Sequence, residues 1–170
     1  AGLYDQFWLA MSTGAPYNMD VDVYGRSPLE CGSFIVSSAY PDENLWGTSF
    51  LARLSGSTAE FLSMWTLLMA GATPFKLSAA GTLELELKPA VPKVLFKDDG
   101  TMGFKFLGTI DVTYHNPGLL DTWTMAATRI ELTPNGDSSE TIVLHGAIVP
   151  APYAGYIRDG DYSAIDVYYG

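Results

Sequence analysis

Residues 53–65, RLSGSTAEFLSMW, place the hydroxyls of Ser55, Ser57 and Thr58 and the bare backbone of Gly56 directly before an apolar run that opens near a carboxylate. Two chemistries fit that order. The first amides of a helix have no internal acceptors and carry partial positive charge, so small residues at that point let an anion approach them closely. Alternatively the helix start satisfies itself: Ser57 as N-cap and Glu60 three residues on form a capping box, a cap being worth about 1 kcal/mol.

A second candidate lies upstream, in MSTGAPYNMDVDVYGRS, residues 11–27. Tyr17, Asn18, Asp20, Asp22, Tyr24 and Arg26 are residue types that recognise sugars, the rings stacking on sugar faces while amides or carboxylates grip hydroxyls, although the same composition suits any polar loop. Asp20 and Asp22 could split their pKa values as an acid and base pair, but two residues apart in an extended segment they point to opposite faces. No nucleophile elbow, phosphate-cradling glycine loop or dinucleotide fingerprint is present. His115 and His145 stand apart in strand-like segments, so no metal site is expected. His115 reads as a hydrogen-bonding residue at a strand end. Cys31 is the only cysteine, which rules out an internal disulfide and suits a small buried apolar side chain.

The elements that must position these residues change character near Pro74. Before it, SPLECGSFIVSSA predicts a helix over about 28–39, with Ser27 as cap, Pro28 at the first helical position and Glu30 closing a capping box. A buried strand through Ile35 and Val36 is the rival reading. The second helix begins at the Ser57 cap, runs apolar almost all round through Phe61, Leu62, Met64, Trp65, Leu67, Leu68 and Met69, and stops at Gly71 and Pro74. Such a helix is expected to be buried between other elements. After Pro74, TLELELK alternates with Leu83, Leu85 and Leu87 inward, and TMGFKFLG and TIDVTYHNPG do likewise. TRIELT, ETIVLHGAIV and SAIDVYY predict further strands, the aromatic tail reading as an edge strand, with a stacking platform as the alternative. The expected fold class is α+β: a helical segment over 1–74, then an antiparallel β-sandwich-like domain over 75–170.

Composition bounds the function. A chain of 170 residues with 48% hydrophobic and 13% aromatic content folds. Its 16% charged residues fall below the roughly 25% usual for a solvated domain, so part of its surface is expected to be covered. Nine basic against 19 acidic residues give a net charge of −10, which argues against nucleic acid and anionic membrane as partners. No apolar run reaches the roughly 18 residues of a membrane span. The sequence opens on Ala rather than Met and lacks the basic start of a signal peptide, so a processed or trimmed chain is expected, with its compartment unassigned.

The ordered series RLSGSTAEFLSMW, AGTLELELKPAVP, FKFLGTIDVTYHNP, IVLHGAIVP and RDGDYSAIDVYY resembles the C-terminal end of inverting glycoside phosphorylases of the cellobiose phosphorylase type. SFIVSSAYPDENLWG adds a likeness to the β-1,3-glucan oligosaccharide phosphorylases. The resemblance implies the last helices of an (α/α)6 barrel followed by a C-terminal β domain. It also implies a glycosyltransferase-class activity in carbohydrate metabolism: inorganic phosphate, the co-substrate, attacks a β-glucosidic bond from the face opposite the leaving group and gives α-glucose 1-phosphate, without a cofactor. In that family a hydroxyl-glycine pair at the start of a late barrel helix contacts the phosphate, and the match falls on Ser55 and Gly56. The general acid and the phosphate-binding Arg and His belong to sequence that would precede Ala1, so the chain is not catalytically complete by itself. Glu60 departs from many relatives, which carry a small residue there, and turning back to cap Ser57 keeps its carboxylate off the phosphate.

The implied partners are a β-glucan oligosaccharide or glucose 1-phosphate, and the remainder of a parent enzyme or other copies of the chain. Two readings from other classes stand beside it. One is a free-standing carbohydrate-binding module, and the other a structural protein whose exposed helices and edge strands pair between copies.

Overall fold

The computed structural model describes residues 2–14, 19–26, 32–52, 55–136 and 140–170, and gives the backbone alone for Gly14, Ser33, Ala52 and residues 55–59. The capping residues Ser27, Pro28 and Glu30, together with Tyr17 and Cys31, lie outside the described residues. The chain separates into two units, Ala1–Trp65 and Thr66–Gly170, and mixes helices with sheets as an α+β protein.

The first unit holds helix α1 (Tyr4–Gly14), the one-turn helix α2 (Val21–Tyr24), and a two-stranded antiparallel sheet of β1 (Gly32–Ile35) and β2 (Ser49–Ala52). α2 is short because both ends are fixed. The Asp20 carboxylate accepts from the Asp22 N–H at 2.8 Å as an N-cap, and Gly25, at φ 71°, closes the turn in the left-handed conformation. The helix expected over 28–39 gives way to β1. Of the two β-branched residues, Ile35 pairs with Ser49 and Val36 N–H donates to the Thr48 carbonyl beyond the ladder, and the strand is exposed at Phe34 and Ile35 rather than buried. Large apolar side chains remain at the surface of this unit, with Leu3, Leu9, Phe34, Leu51 and Leu62 each between 61% and 66% exposed.

Helix α3 runs Ser55–Met69, so it begins two residues before the expected cap, and Ser57 is its third residue. Ser57 therefore lies inside the helix and is not its N-cap, so the capping box expected of Ser57 and Glu60 does not open α3. It ends where the sequence says it should. Gly71 adopts φ 91°, and the N–H groups of Ala70 and Gly71 both donate to the Thr66 carbonyl. The last carbonyls, orphaned by the end of the helix, are taken up by the chain that follows: Ala90 N–H on Leu68, Tyr114 Oη–H on Met69 at 2.7 Å, and Lys88 N–H on Ala70. Burial follows the same gradient. Leu68 and Met69 are buried, whereas Leu62, Trp65 and Leu67 are exposed, against the expectation of a helix buried all round.

The second unit carries two sheets. Strands β3 (Phe75–Leu77), β4 (Leu83–Glu86) and β9 (Ile148–Val149) form an antiparallel sheet in the order β3-β4-β9. Strands β5 (Thr101–Phe106), β6 (Ile110–His115), β7 (Ala127–Pro134), β8 (Ile142–His145) and β10 (Tyr162–Tyr169) form a second sheet in the order β5-β6-β10-β7-β8. The strand expected over ETIVLHGAIV is cut at Gly146, at φ 95°, so β8 stays with β7 while β9 joins β4.

The tail β10 is not an edge strand. It inserts between β6 and β7, antiparallel to β7 and parallel to β6, which makes this sheet mixed rather than antiparallel. Parallel neighbours need a long crossover, here everything from Asn116 to Asp161 including helix α4 (Tyr153–Asp159), a seven-residue helix that the sequence pattern does not announce. Strand alternation sends Val112, Tyr114, Ile130, Leu132, Ile165 and Val167 into the core, where Phe75 of one sheet stacks on Phe106 of the other.

Candidate functional site

Ser55 and Gly56 form the opening of α3, a helix of 15 residues. Their backbone amides therefore lie in the first turn, where no carbonyl within the helix can accept from them. The sugar-recognition candidates do not make one surface. Asp22 is exposed in the first turn of α2, but Tyr24, two residues on and on a different face, is fully buried, with its hydroxyl accepting from the Gly32 N–H at 2.5 Å. A ring with no exposed face cannot stack on a sugar, so Tyr24 packs α2 against β1. Arg26 is half-buried and donates from Nε to the Ser49 carbonyl at 3.1 Å, which fixes it on β2.

The second unit brings together residues that the sequence keeps far apart. Across the five-stranded sheet, ladder pairing puts Thr101, His115, Tyr168, Arg129 and His145 side by side on successive strands. All five share the face opposite the apolar core, since side chains alternate along each strand. The neighbouring row on that face includes Asp166 and Glu131.

Within the row the planar groups pile up. The His115 ring stacks on Tyr168 with centroids 4.3 Å apart and 8° between planes, and the Arg129 guanidinium lies 3.9 Å over the other part of the pile, on the Tyr168 ring. The carboxylates behind hold the pile upright. Asp166 Oδ1 lies 2.7 Å from His115 Nε2, and because a carboxylate only accepts, Nε2 carries the proton. Tyr168 Oη donates to Glu131 Oε2 at 3.1 Å, while Arg129 reaches Glu131 Oε1 at 3.4 Å. Burial, and then the hydrogen bond to Glu131, raise the Tyr168 phenol above its ordinary value, so it stays a neutral donor.

This row borders an open groove of about 550 Å³, also lined by Asp99 and by the turn at Asn116 and Pro117. Asp99 accepts from the hydroxyl and N–H of Thr101, and those bonds hold its carboxyl below the usual range. His145 is exposed on the groove and, among the described residues, makes no hydrogen bond or ion pair. No group of three metal-ligating side chains occurs among the described residues, and no described helix is long and apolar enough to cross a membrane. The groove offers donors, acceptors and flat polar edges.

His115 is the strand-end hydrogen-bonding residue expected from the sequence, whereas the rest of this face lies outside any motif. Its only signal was that the outward positions of several strands carry His, Arg, Glu, Asp and Tyr instead of small polar residues. No protein-family model matches the chain, and no curated protein sequence matches it.

Proposed function

We propose that the chain is the C-terminal portion of an inverting glycoside phosphorylase, which cleaves β-glucosidic bonds with inorganic phosphate and releases glucose 1-phosphate. The observation that carries this reading is the start of α3 at Ser55, which leaves the Ser55 and Gly56 amides without helical acceptors at the position the resemblance gives to phosphate. On this reading residues 1–74 correspond to the end of an (α/α)6 barrel and residues 75–170 to a sandwich-like C-terminal domain. The general acid is supplied by sequence outside the 170 residues. The apolar surface of the first unit, Leu3, Leu9, Phe34, Leu51 and Leu62, supports the need for a covering partner, which the rest of a barrel would be.

The test pairs intact-mass analysis of the source material with an assay for glucose 1-phosphate released from β-glucan oligosaccharides. The polypeptide that contains these residues should phosphorolyse, and Gly56→Val should raise its KM for phosphate roughly tenfold while leaving the KM for oligosaccharide in place, as expected for one lost hydrogen bond to an anion. Absence of glucose 1-phosphate from the parent polypeptide sinks the reading. Phosphorolysis by a preparation holding only the 170 residues overturns the upstream placement of the acid.

The same exposed apolar residues favour one other reading, in which copies of this chain cover one another as a self-assembling structural protein. Light scattering decides it, because a monodisperse monomer at high concentration is incompatible with self-assembly.

A further inference from the structure

We infer that the groove on the outer face of the five-stranded sheet is a second saccharide site, which binds a neutral glycan chain across the His115, Tyr168, Arg129 and His145 row. Unused hydrogen-bonding capacity defines the ligand. Asp99 presents a carboxylate on the groove wall, Arg129 spends one terminal nitrogen on Glu131 and keeps the rest of its fork, and the His145 side chain is uncommitted. Acceptors and donors thus line the same groove, which is what vicinal hydroxyls require, since each both donates and accepts.

Charge excludes the rivals. An anion drawn to Arg129 also meets the Asp99 carboxylate on the groove wall, and the Arg129 charge is already offset by its pair with Glu131. A cation meets Arg129 in the centre of the row and finds no set of three ligating side chains among the described residues. A neutral polyhydroxylated ligand pays neither penalty. The stack of His115, Tyr168 and Arg129 is already ordered by Asp166 and Glu131, so little side-chain freedom is lost on binding.

The choice of β-glucan as the glycan rests on the phosphorylase reading, whereas the polar row itself does not. The test titrates the full 170-residue chain with laminaritetraose and with cellotetraose, following the ring resonances of His115, His145 and Tyr168 by NMR, with inorganic phosphate as a separate arm. Saturable shifts of these rings with a tetrasaccharide, unchanged by excess phosphate, are expected. Arg129→Gln and His145→Ala should each weaken binding roughly tenfold, as loss of one hydrogen bond implies. His145 is exposed, so its replacement leaves the fold in place, as circular dichroism would verify. Rings that do not respond to either sugar, displacement by phosphate, or variants that bind like the parent chain overturn the inference. Sheet binding without phosphorolysis by the parent polypeptide sinks the phosphorylase reading alone, and phosphorolysis without sheet binding sinks this one alone.

Discussion

Two neighbouring tyrosines in the core should respond in opposite ways to the same deletion of one oxygen. Tyr114 and Tyr169 lie with ring centroids 6.0 Å apart and both are buried. Tyr114 Oη donates to the Met69 carbonyl at 2.7 Å, one of the carbonyls orphaned at the end of α3. Tyr169 Oη is buried with no hydrogen-bond partner among the described residues. Tyr114→Phe keeps the ring and its packing on Phe104, but strands the Met69 oxygen away from water, at a cost of about 2 kcal/mol. For a chain of this length that lowers Tm by roughly 4–8 °C if it melts as one transition. Tyr169→Phe removes a hydroxyl that was desolvated without compensation, so stability should hold or rise. Urea and thermal unfolding of the two variants, at equal m-value, measure the contrast. Equal losses in both, or a Tyr114→Phe protein within about 0.5 kcal/mol of the parent, the scatter of neutral surface changes, would refute the claim that this bond anchors α3.

Three further outcomes follow from the same geometry. Gly71→Ala places a methyl 2.7 Å from the Lys88 backbone oxygen at φ 91°, and should cost roughly 1–3 kcal/mol in strain before any clash is counted, read as a lower urea midpoint. Burial pushes the Glu86 carboxyl up, but its hydrogen bonds to Lys76 and Lys88 outweigh that and hold it below the ordinary value. A depressed carboxylate stabilises the fold above its unfolded value, about 4.3, and that support is lost as pH falls through the lower folded one, so Glu86→Gln should flatten the acid limb of a Tm-against-pH curve. At the other end, burial pushes Tyr114 and Tyr169 far above the ordinary phenol range. Raised phenols stabilise the fold below the unfolded value of about 10 and lose that support above it, so in an absorbance titration these two of the ten tyrosines should ionise only as the chain unfolds.

What the sequence made legible was local. Leu83, Leu85 and Leu87, or Ile110, Val112 and Tyr114, alternate so strictly that strand and inward face follow from a period of two. Gly71 announced the end of α3 because a left-handed residue is needed there. Where two local preferences competed, tertiary pairing decided. The capping pattern at 27–30 argued for a helix while Ile35 and Val36 argued for a strand, and the ladder with β2 settled it for β1. Helix α4 escaped notice because seven residues with Gly155 inside hold too few turns to show a period.

The polar row on the sheet was illegible for a different reason, since it depends on strand order and not on any strand's own pattern. His115, Arg129, His145 and Tyr168 each sit on the outward phase of an unremarkable alternation, separated by 14, 16 and 23 residues. Had β10 closed the sheet as an edge strand beyond β8, His115 and Arg129 would have lost the ring that lies between them, and neither the stack nor the His115–Asp166 pair could form. Insertion of β10 parallel to β6 puts Tyr168 opposite His115 and Arg129 at once, and the same register brings Asp166 within reach of His115. The register is enforced from the other face, where Ile165 and Val167 must stay buried, because a slip of one residue would exchange them for Asp166 and Tyr168. The apolar core thus specifies the polar row. Mutations that loosen the packing of β10, such as Val167→Ala, should weaken any ligand bound on the outer face without touching a residue that contacts it.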